Sequence, residues 1–295
     1  MWIIISNKSY AQNIDTAIFK SITTIPNSAT YKNTNCIIQE LSGIDYTGVD
    51  NNYYIIPQSE DGAYYFIASI VFENNELKVD FIDKIDLIGS TLDAEAIRKH
   101  PKTNVIYIAE EQKLYSSIFS VSTTNELQLL IPEFEHNYNR GIEGLCFNAD
   151  GSKLYASMES SNKMKNTSIY EINIISNKIV KEFKYPLHKI ANDKNNDNGI
   201  TEILCINDST LLVLERAYLK SQKRNNIRLY RATIPRSTNR ISEIKLLSDF
   251  SKIPNIDNIE GMTFNHDKSA LIFVSDNNGN EKQKTQIIYM TINKE

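Results

Sequence analysis

Short apolar runs separated by turn-forming residues dominate the chain. Near its middle, Ile142-Glu143-Gly144-Leu145-Cys146-Phe147 passes through Asn148-Ala149-Asp150-Gly151-Ser152 and returns as Leu154-Tyr155-Ala156-Ser157-Met158-Glu159. Runs this short, bounded by Asn, Asp, Gly and Ser, predict the two strands of a hairpin. One acid marks entry to the first strand and another marks exit from the second. The unit recurs, earlier as Leu92-Asp93-Ala94-Glu95-Ala96-Ile97 with Val105 to Glu110, and later as Asn258-Ile259-Glu260-Gly261-Met262 with Leu271 to Asp276. Looser copies are Leu41-Ser42-Gly43-Ile44 with Tyr53 to Asp61, and Asn198-Gly199-Ile200-Thr201-Glu202 with Leu211 to Arg216.

The hairpins are followed by further strand-like segments: Ala63 to Phe72 and Glu76 to Ile82, Leu114 to Val121 and Leu127 to Ile131, Ser168 to Ile174 and Lys178 to Phe183, Ile227 to Ile234 and Glu243 to Leu247. That makes four strands per unit. The motif glycines or their equivalents fall at Gly43, Ala96, Gly144, Glu202 and Gly261, at spacings of 53, 48, 58 and 59 residues. Four strands repeating at a period a little above 40–50 residues predict an all-β fold, a β-propeller of five four-stranded blades. The last unit has three obvious strands, ending at Gln286 to Ile292, and Ile14 to Ile25 is a spare β-rich segment. The ring is therefore predicted to close by the amino-terminal strand joining the last blade and covering its edge. Thr30 to Gln39 leaves a sixth, incomplete unit open as an alternative.

Composition adds boundaries. A chain of 295 residues with 41% hydrophobic and 23% charged residues is an ordinary globular protein with room for a large core. No composition shift divides it, so residues 12–295 read as one domain, and as a monomer. A net charge of −4 with mixed signs offers no basic face for nucleic acid. No apolar run approaches the roughly 20 residues a spanning helix needs. Trp2-Ile3-Ile4-Ile5 before Ser9-Tyr10-Ala11 reads either as a first strand or as the tail of a secretion signal covering residues 1–11. Three cysteines are too few for a disulfide framework, and the odd count leaves at least one unpaired. Cys146 and Cys205 read as small buried hydrophobes. The polar stretches 160–167, 191–198 and 220–226 read as solvated loops.

In a propeller the first strand of each blade lines the channel. Glu95, Glu143 and Glu260 enter those strands, while Glu110, Glu159, Glu215 and Asp276 end the second strands beside them. Antiparallel pairing sets the start of one strand next to the end of the other, so the two sets are expected to converge on one mouth. Two carboxylates about 4 Å apart repel by roughly 4 kcal/mol at an effective dielectric near 20. Such a cluster binds cations, shares protons or pairs with Arg140 and Arg216. All-oxygen ligands favour Ca²⁺ as the cofactor, with Glu95, Glu143, Glu260, Glu110, Glu159 and Asp276 as candidate ligands. The plain alternative is that each acid caps turns inside its own blade. Arg140 suits an anionic ligand and Arg216 either that or a bridge between blades; Glu215, Asn139 and Asn198 border the same mouth. His100, His136, His188 and His266 read as surface residues. No nucleophile elbow, metalloprotease helix, P-loop or dinucleotide fingerprint is present.

Leu41-Ser42-Gly43-Ile44, Asp93-Ala94-Glu95-Ala96-Ile97, Asn139-Arg140-Gly141-Ile142-Glu143-Gly144, Asn198-Gly199-Ile200, Leu214-Glu215-Arg216 and Asn258-Ile259-Glu260-Gly261 with Ser275-Asp276-Asn277-Asn278, in that order, resemble the phytase-like family named for an esterase-like activity of phytase. The resemblance runs from about Leu41 to Asn278. It implies a propeller, an exported (secreted or periplasmic) bacterial protein and phosphoester hydrolysis. Ala96 departs from the family's glycine, and Pro57-Gln58-Ser59-Glu60 from a Ser-Asp ending. The expectation is a Ca²⁺-assisted hydrolase of a small phosphoester, with Glu143, Arg140 and Glu95 as catalytic residues. A ligand-binding or envelope propeller with a structural Ca²⁺, and a lactonase or other carboxyl-ester hydrolase, remain as alternatives.

Overall fold

The hairpin seen in the sequence is the unit from which the ring is built. A computed structural model describes residues 14–59, 62–89, 93–160, 166–188 and 197–294, and arranges twenty strands as five four-stranded antiparallel sheets. Blade 1 holds β2 (Leu41–Tyr46), β3 (Asn52–Pro57), β4 (Tyr64–Glu73) and β5 (Glu76–Asp86). Blade 2 holds β6 (Ala94–Lys99), β7 (Ile106–Glu111), β8 (Tyr115–Val121) and β9 (Leu127–Glu135). Blade 3 holds β10 (Ile142–Phe147), β11 (Lys153–Met158), β12 (Asn166–Asn173) and β13 (Lys178–Pro186). Blade 4 holds β14 (Asp197–Asn207), β15 (Thr210–Leu219), β16 (Arg224–Thr233) and β17 (Ile244–Asp249).

Blade 5 is composite. β18 (Asn258–Phe264), β19 (Ala270–Asp276) and β20 (Thr285–Lys294) are completed by β1 (Ile14–Ile25), which pairs with β20 from Ile14 opposite Lys294 to Ile25 opposite Thr285. The ring thus closes through the amino-terminal strand, as the spare segment in the sequence foretold. Thr30 to Gln39 makes no sixth blade. It holds a short 3-10 helix, Tyr31–Asn33, and a single bridge between Thr30 and Ile37.

Turn chemistry fits the strands it joins. Asn74 and Asn75 have φ of 53° and 64°, the left-handed pair a two-residue hairpin turn requires between β4 and β5. The core lies between blades. Five apolar clusters fill the five junctions: Tyr65 and Ile108 between blades 1 and 2, Ala109 and Leu154 between 2 and 3, Phe183 and Val213 between 3 and 4, Leu229 and Phe273 between 4 and 5, Val274 and Phe66 between 5 and 1. The larger of these, such as Leu154, Val213 and Phe273, each contribute about 1.5–3 kcal/mol when fully buried. Those packed wedges hold the innermost strands in register around the axis.

The expected leader at residues 1–11 and most of the polar loops 160–167 and 191–198 lie outside the described residues. The stretch 220–226 is less of a loop than its composition suggests, because β16 begins at Arg224. Among the described residues no helix is long and apolar enough to cross a membrane.

Candidate functional site

Every innermost strand carries a β-bulge at the same place. Register jumps between Leu41 and Gly43, Ala94 and Ala96, Ile142 and Gly144, Ile200 and Glu202, and Ile259 and Gly261. The extra residue is Ser42, Glu95, Glu143, Thr201 or Glu260, and a bulge re-aims the side chain it adds. All three of these glutamates are buried. The next position must be small where inner strands approach closely: a Cβ on Gly144 would meet Ile203 N at 2.7 Å, and one on Gly43 would meet Ile97 N at 2.8 Å.

The bulges also decide which residues of the second strands lie level with one another. Gln58, Glu111 and Glu159 donate their backbone N–H to Glu40, Asp93 and Gly141, while Arg216 lies opposite Gly199 and Asp276 opposite Asn258. That makes a second ring of Gln58, Glu111, Glu159, Arg216 and Asp276. Glu110 and Glu215, grouped with Glu159 and Asp276 from the sequence, stand one residue earlier, so alternation turns them to the other face. Glu215 accepts hydrogen bonds from Tyr185 Oη at 2.7 Å and from the backbone N–H of His188, and pairs with His188 Nδ1 at 2.8 Å. Glu110 accepts one from Gln112 Nε2 at 3.1 Å.

One oxygen each from Glu95, Glu111 and Glu143 lies within 4.8 Å of the others. Glu95 receives Gln58 Nε2 at 2.6 Å and Glu111 receives the N–H of Gly141. Glu143, 7% exposed, receives no hydrogen bond from any described residue, and no Lys or Arg among them lies within ion-pair distance of the three. Burial, then repulsion from Glu260 and Glu111, holds the Glu95 carboxyl well above its usual range. Burial, then repulsion from Glu95 and Glu159, does the same to Glu143. Glu111 is pushed up to about 7 by burial, against the pull of the Gly141 N–H. Asp276 is pushed up to about 8 by burial and by Glu260, against the amide of Asn278.

The other side of the mouth is neutralised. Arg216 binds Glu260 and Asn258 Oδ1 and reaches Glu159 at 3.5 Å, and Arg140 Nη1 lies 2.8 Å from Glu159. Burial opposes the charge on Arg216, but Glu260, Glu159 and Glu143 outweigh it and raise its pKa. Asn198 donates to His188 O at 2.6 Å, and Asn139 is an exposed left-handed residue (φ 52°) beside Arg140. Asn277 Oδ1 accepts from Glu40 N at 3.0 Å, tying blade 5 to blade 1.

Below the acids, Arg98 plugs the axis. Its guanidinium donates to the carbonyls of Ile44, Ile97, Leu145, Ile203 and Met262, one from each innermost strand, and pairs with Glu202 at 2.6 Å. These five carbonyls belong to the residues after Gly43, Ala96, Gly144, Glu202 and Gly261, one equivalent position in every blade, so the pseudo-symmetry of the ring aims them at one point. Burial raises the pKa of Glu202, and Arg98 opposes that rise. The channel has one acidic mouth and a closed floor.

A family model described as "Phytase-like: Esterase-like activity of phytase" matches residues 37–279. This chain belongs to that phytase-like family. No curated protein sequence matches the chain. Among solved structures it is similar to a luciferin-regenerating enzyme (10% identity, TM-score 0.49, covering 92% of this chain and 95% of that one). It is also similar to a protein from Lactobacillus plantarum (12%, 0.46, 86% and 82%) and to the Dos1 propeller (10%, 0.41, 88% and 69%).

Sequence reading of this phytase-like chain missed Glu111 and Arg98. Glu111 stands directly after Glu110, and the bulge that selects between them leaves no mark in composition. Arg98 reads as a charge at a strand end; only its place two residues beyond Ala96, the small position of blade 2, hints at the axis. Of the four histidines expected at the surface, His266 is exposed, while the other three are drawn into the fold. His100 is buried and bonds Gly151 O at 3.0 Å, His136 Nε2 lies 3.0 Å from Ser116 Oγ, and His188 stacks on Tyr230. Each fills a gap between strands that its loop-like sequence context does not reveal.

Proposed function

We propose that the acidic mouth binds a divalent cation, Ca²⁺ by its ligand chemistry, and that this phytase-like propeller uses it to hydrolyse phosphate monoesters. The observation that carries the reading is Glu143: a buried carboxylate with no donor among the described residues, sharing 4.8 Å with two others. Oxygens bound to one Ca²⁺ at 2.3–2.6 Å lie at most about 5 Å apart, so the donor set fits the ion. A bound divalent cation would neutralise phosphate charge and acidify a water molecule. Glu95, Glu111 and Glu143 hold it, and Gln58 orients Glu95. Arg140 and Arg216, fixed by Glu159 and Glu260, present cationic edges where an anionic ester group arrives. The family's esterase-like label supports hydrolysis as the reaction class. Both guanidiniums already face carboxylates, which favours a second reading in which the ion is structural and no turnover occurs.

Hydrolysis of a phosphomonoester panel, with Ca²⁺ and with chelator, separates the two. Ca²⁺-dependent turnover in the wild type that is lost in Glu143→Gln supports the enzyme. Ca²⁺ binding with no turnover on any ester removes it.

A further inference from the structure

Cys146 and Cys205 lie on β10 and β14, the innermost strands of adjacent blades, with their Sγ atoms 2.9 Å apart. That is about 0.9 Å longer than a disulfide bond. The two strands are neighbours around the axis, and Asn148 Nδ2 bonds Asp208 Oδ1 at 3.3 Å across the same junction just beyond them. Closing the remaining gap asks for a small shift of two side chains. Cys146 is almost wholly buried and Cys205 is half-buried, so a reagent reaches Cys205 first. Cys36 stands apart, its sulfur 3.6 Å from Tyr64 Oη.

We propose that Cys146 and Cys205 form a disulfide that staples blade 3 to blade 4, made by exchange with a small-molecule disulfide such as oxidised glutathione. The Cys205 thiolate attacks one sulfur of glutathione disulfide, forming a mixed disulfide and releasing one glutathione thiol. The Cys146 sulfur then attacks Cys205 Sγ. The bond to glutathione breaks, and the proton of Cys146 leaves with the second glutathione. Two protein thiols are oxidised and one glutathione disulfide is reduced to two thiols, so electrons and protons balance. Burial and the neighbouring thiol hold Cys146 well above its usual pKa, which suits it to the second step, in contact with its target, rather than the first. The bond would tie the strand that carries Glu143 to the strand that carries Glu202. It stands independently of any activity at the mouth.

The test uses the whole chain with Cys36→Ala, so that every label reports on this pair. After equilibration with oxidised glutathione, denaturation and alkylation with N-ethylmaleimide, the intact mass is expected to show no adduct. After reduction it should show two. The melting temperature is expected to rise by roughly 5–15 °C on oxidation, as a loop of this length closes, and Cys205→Ser should abolish that rise. Two adducts persisting in oxidised glutathione, or a glutathione left on Cys205, would overturn the pairing. A bond formed with unchanged melting would overturn the staple. Should Cys205→Ser fold poorly, the adduct count in the Cys36→Ala protein decides alone.

Discussion

Blades 3 and 4 share a backbone and differ in what it carries. In blade 3 the bulge residue is Glu143, the next is Gly144, and Glu159 stands level on the second strand; in blade 4 the same places hold Thr201, Glu202 and Arg216. The blade-4 acid has moved one residue along the strand and so from the mouth to the axis, where Arg98 meets it. Its mouth position has become a hydroxyl, and the acid opposite has become a guanidinium. Backbone geometry decides where a side chain points, and identity at that point decides whether it is a ligand or a strut. A single position separates a cation site from an ion pair that plugs the ring.

The largest effect is expected where the strut is cut. Arg98→Ala leaves Glu202 buried without its partner and strips a donor from five carbonyls. Breaking a buried pair costs about 3–5 kcal/mol, so melting should fall by roughly 10 °C or the chain should fail to fold. Arg98→Met with Glu202→Met removes both charges and should recover most of the loss. A melting temperature within a degree or two of wild type for Arg98→Ala alone would deny the plug its structural role.

Next comes the close approach of the strands. Gly144→Ala drives a Cβ against Ile203 N, at a cost of about 1–3 kcal/mol. Ala96 already carries a Cβ at the matching place of blade 2, so Ala96→Gly should cost no more than about 1 kcal/mol. Equal losses measured by chemical denaturation would show that the junctions are not differently spaced.

The third contrast is between the charged and neutralised halves of the mouth, read by pH. Glu111 and Asp276 have carboxyls raised to about 7 and about 8, above their unfolded values. The folded chain therefore holds more protons than the unfolded one in the interval between, and stability falls as pH rises through it. In chelator, melting should drop by roughly 5 °C or more from pH 5.5 to pH 8.5, and Ca²⁺ should reverse most of that drop at the upper end. A melting profile that rises with pH in chelator would refute the raised carboxyls.

The smallest expected effect tests the register. Glu111→Gln should weaken Ca²⁺ binding several-fold, while Glu110→Gln leaves it within about twofold, because alternation turns the two side chains to opposite faces. The reverse order, by calorimetry, would mean the bulge is misplaced.

Much of the ring was legible in the sequence because its signals are local and repeated. Asn and Asp turns, four short strands per unit and the unclaimed run Ile14–Ile25 all belong to positions a few residues apart. The mouth was legible only in part. Glu95, Glu143 and Glu260 could be placed because each precedes a small residue in a recurring motif. The choice between Glu110 and Glu111 could not be made, since one extra residue in each inner strand inverts the faces of the second strand relative to it. Arg98 could not be found because its partners are five carbonyls scattered from Ile44 to Met262, which no sequence pattern marks. Cys146 and Cys205 sit one position out of register in their motifs and meet only through the curvature of the ring.

The central claim is that Glu143 is kept unpaired for a cation, and calorimetric titration of Ca²⁺ into chelator-stripped wild type and Glu143→Gln at pH 8 tests it most directly. Wild type should bind Ca²⁺, and the variant should bind at least tenfold more weakly while melting no lower than wild type in chelator, since the lost charge was repelled by its neighbours. Equal affinity in the two proteins, or a folded wild type that binds no Ca²⁺, would contradict it.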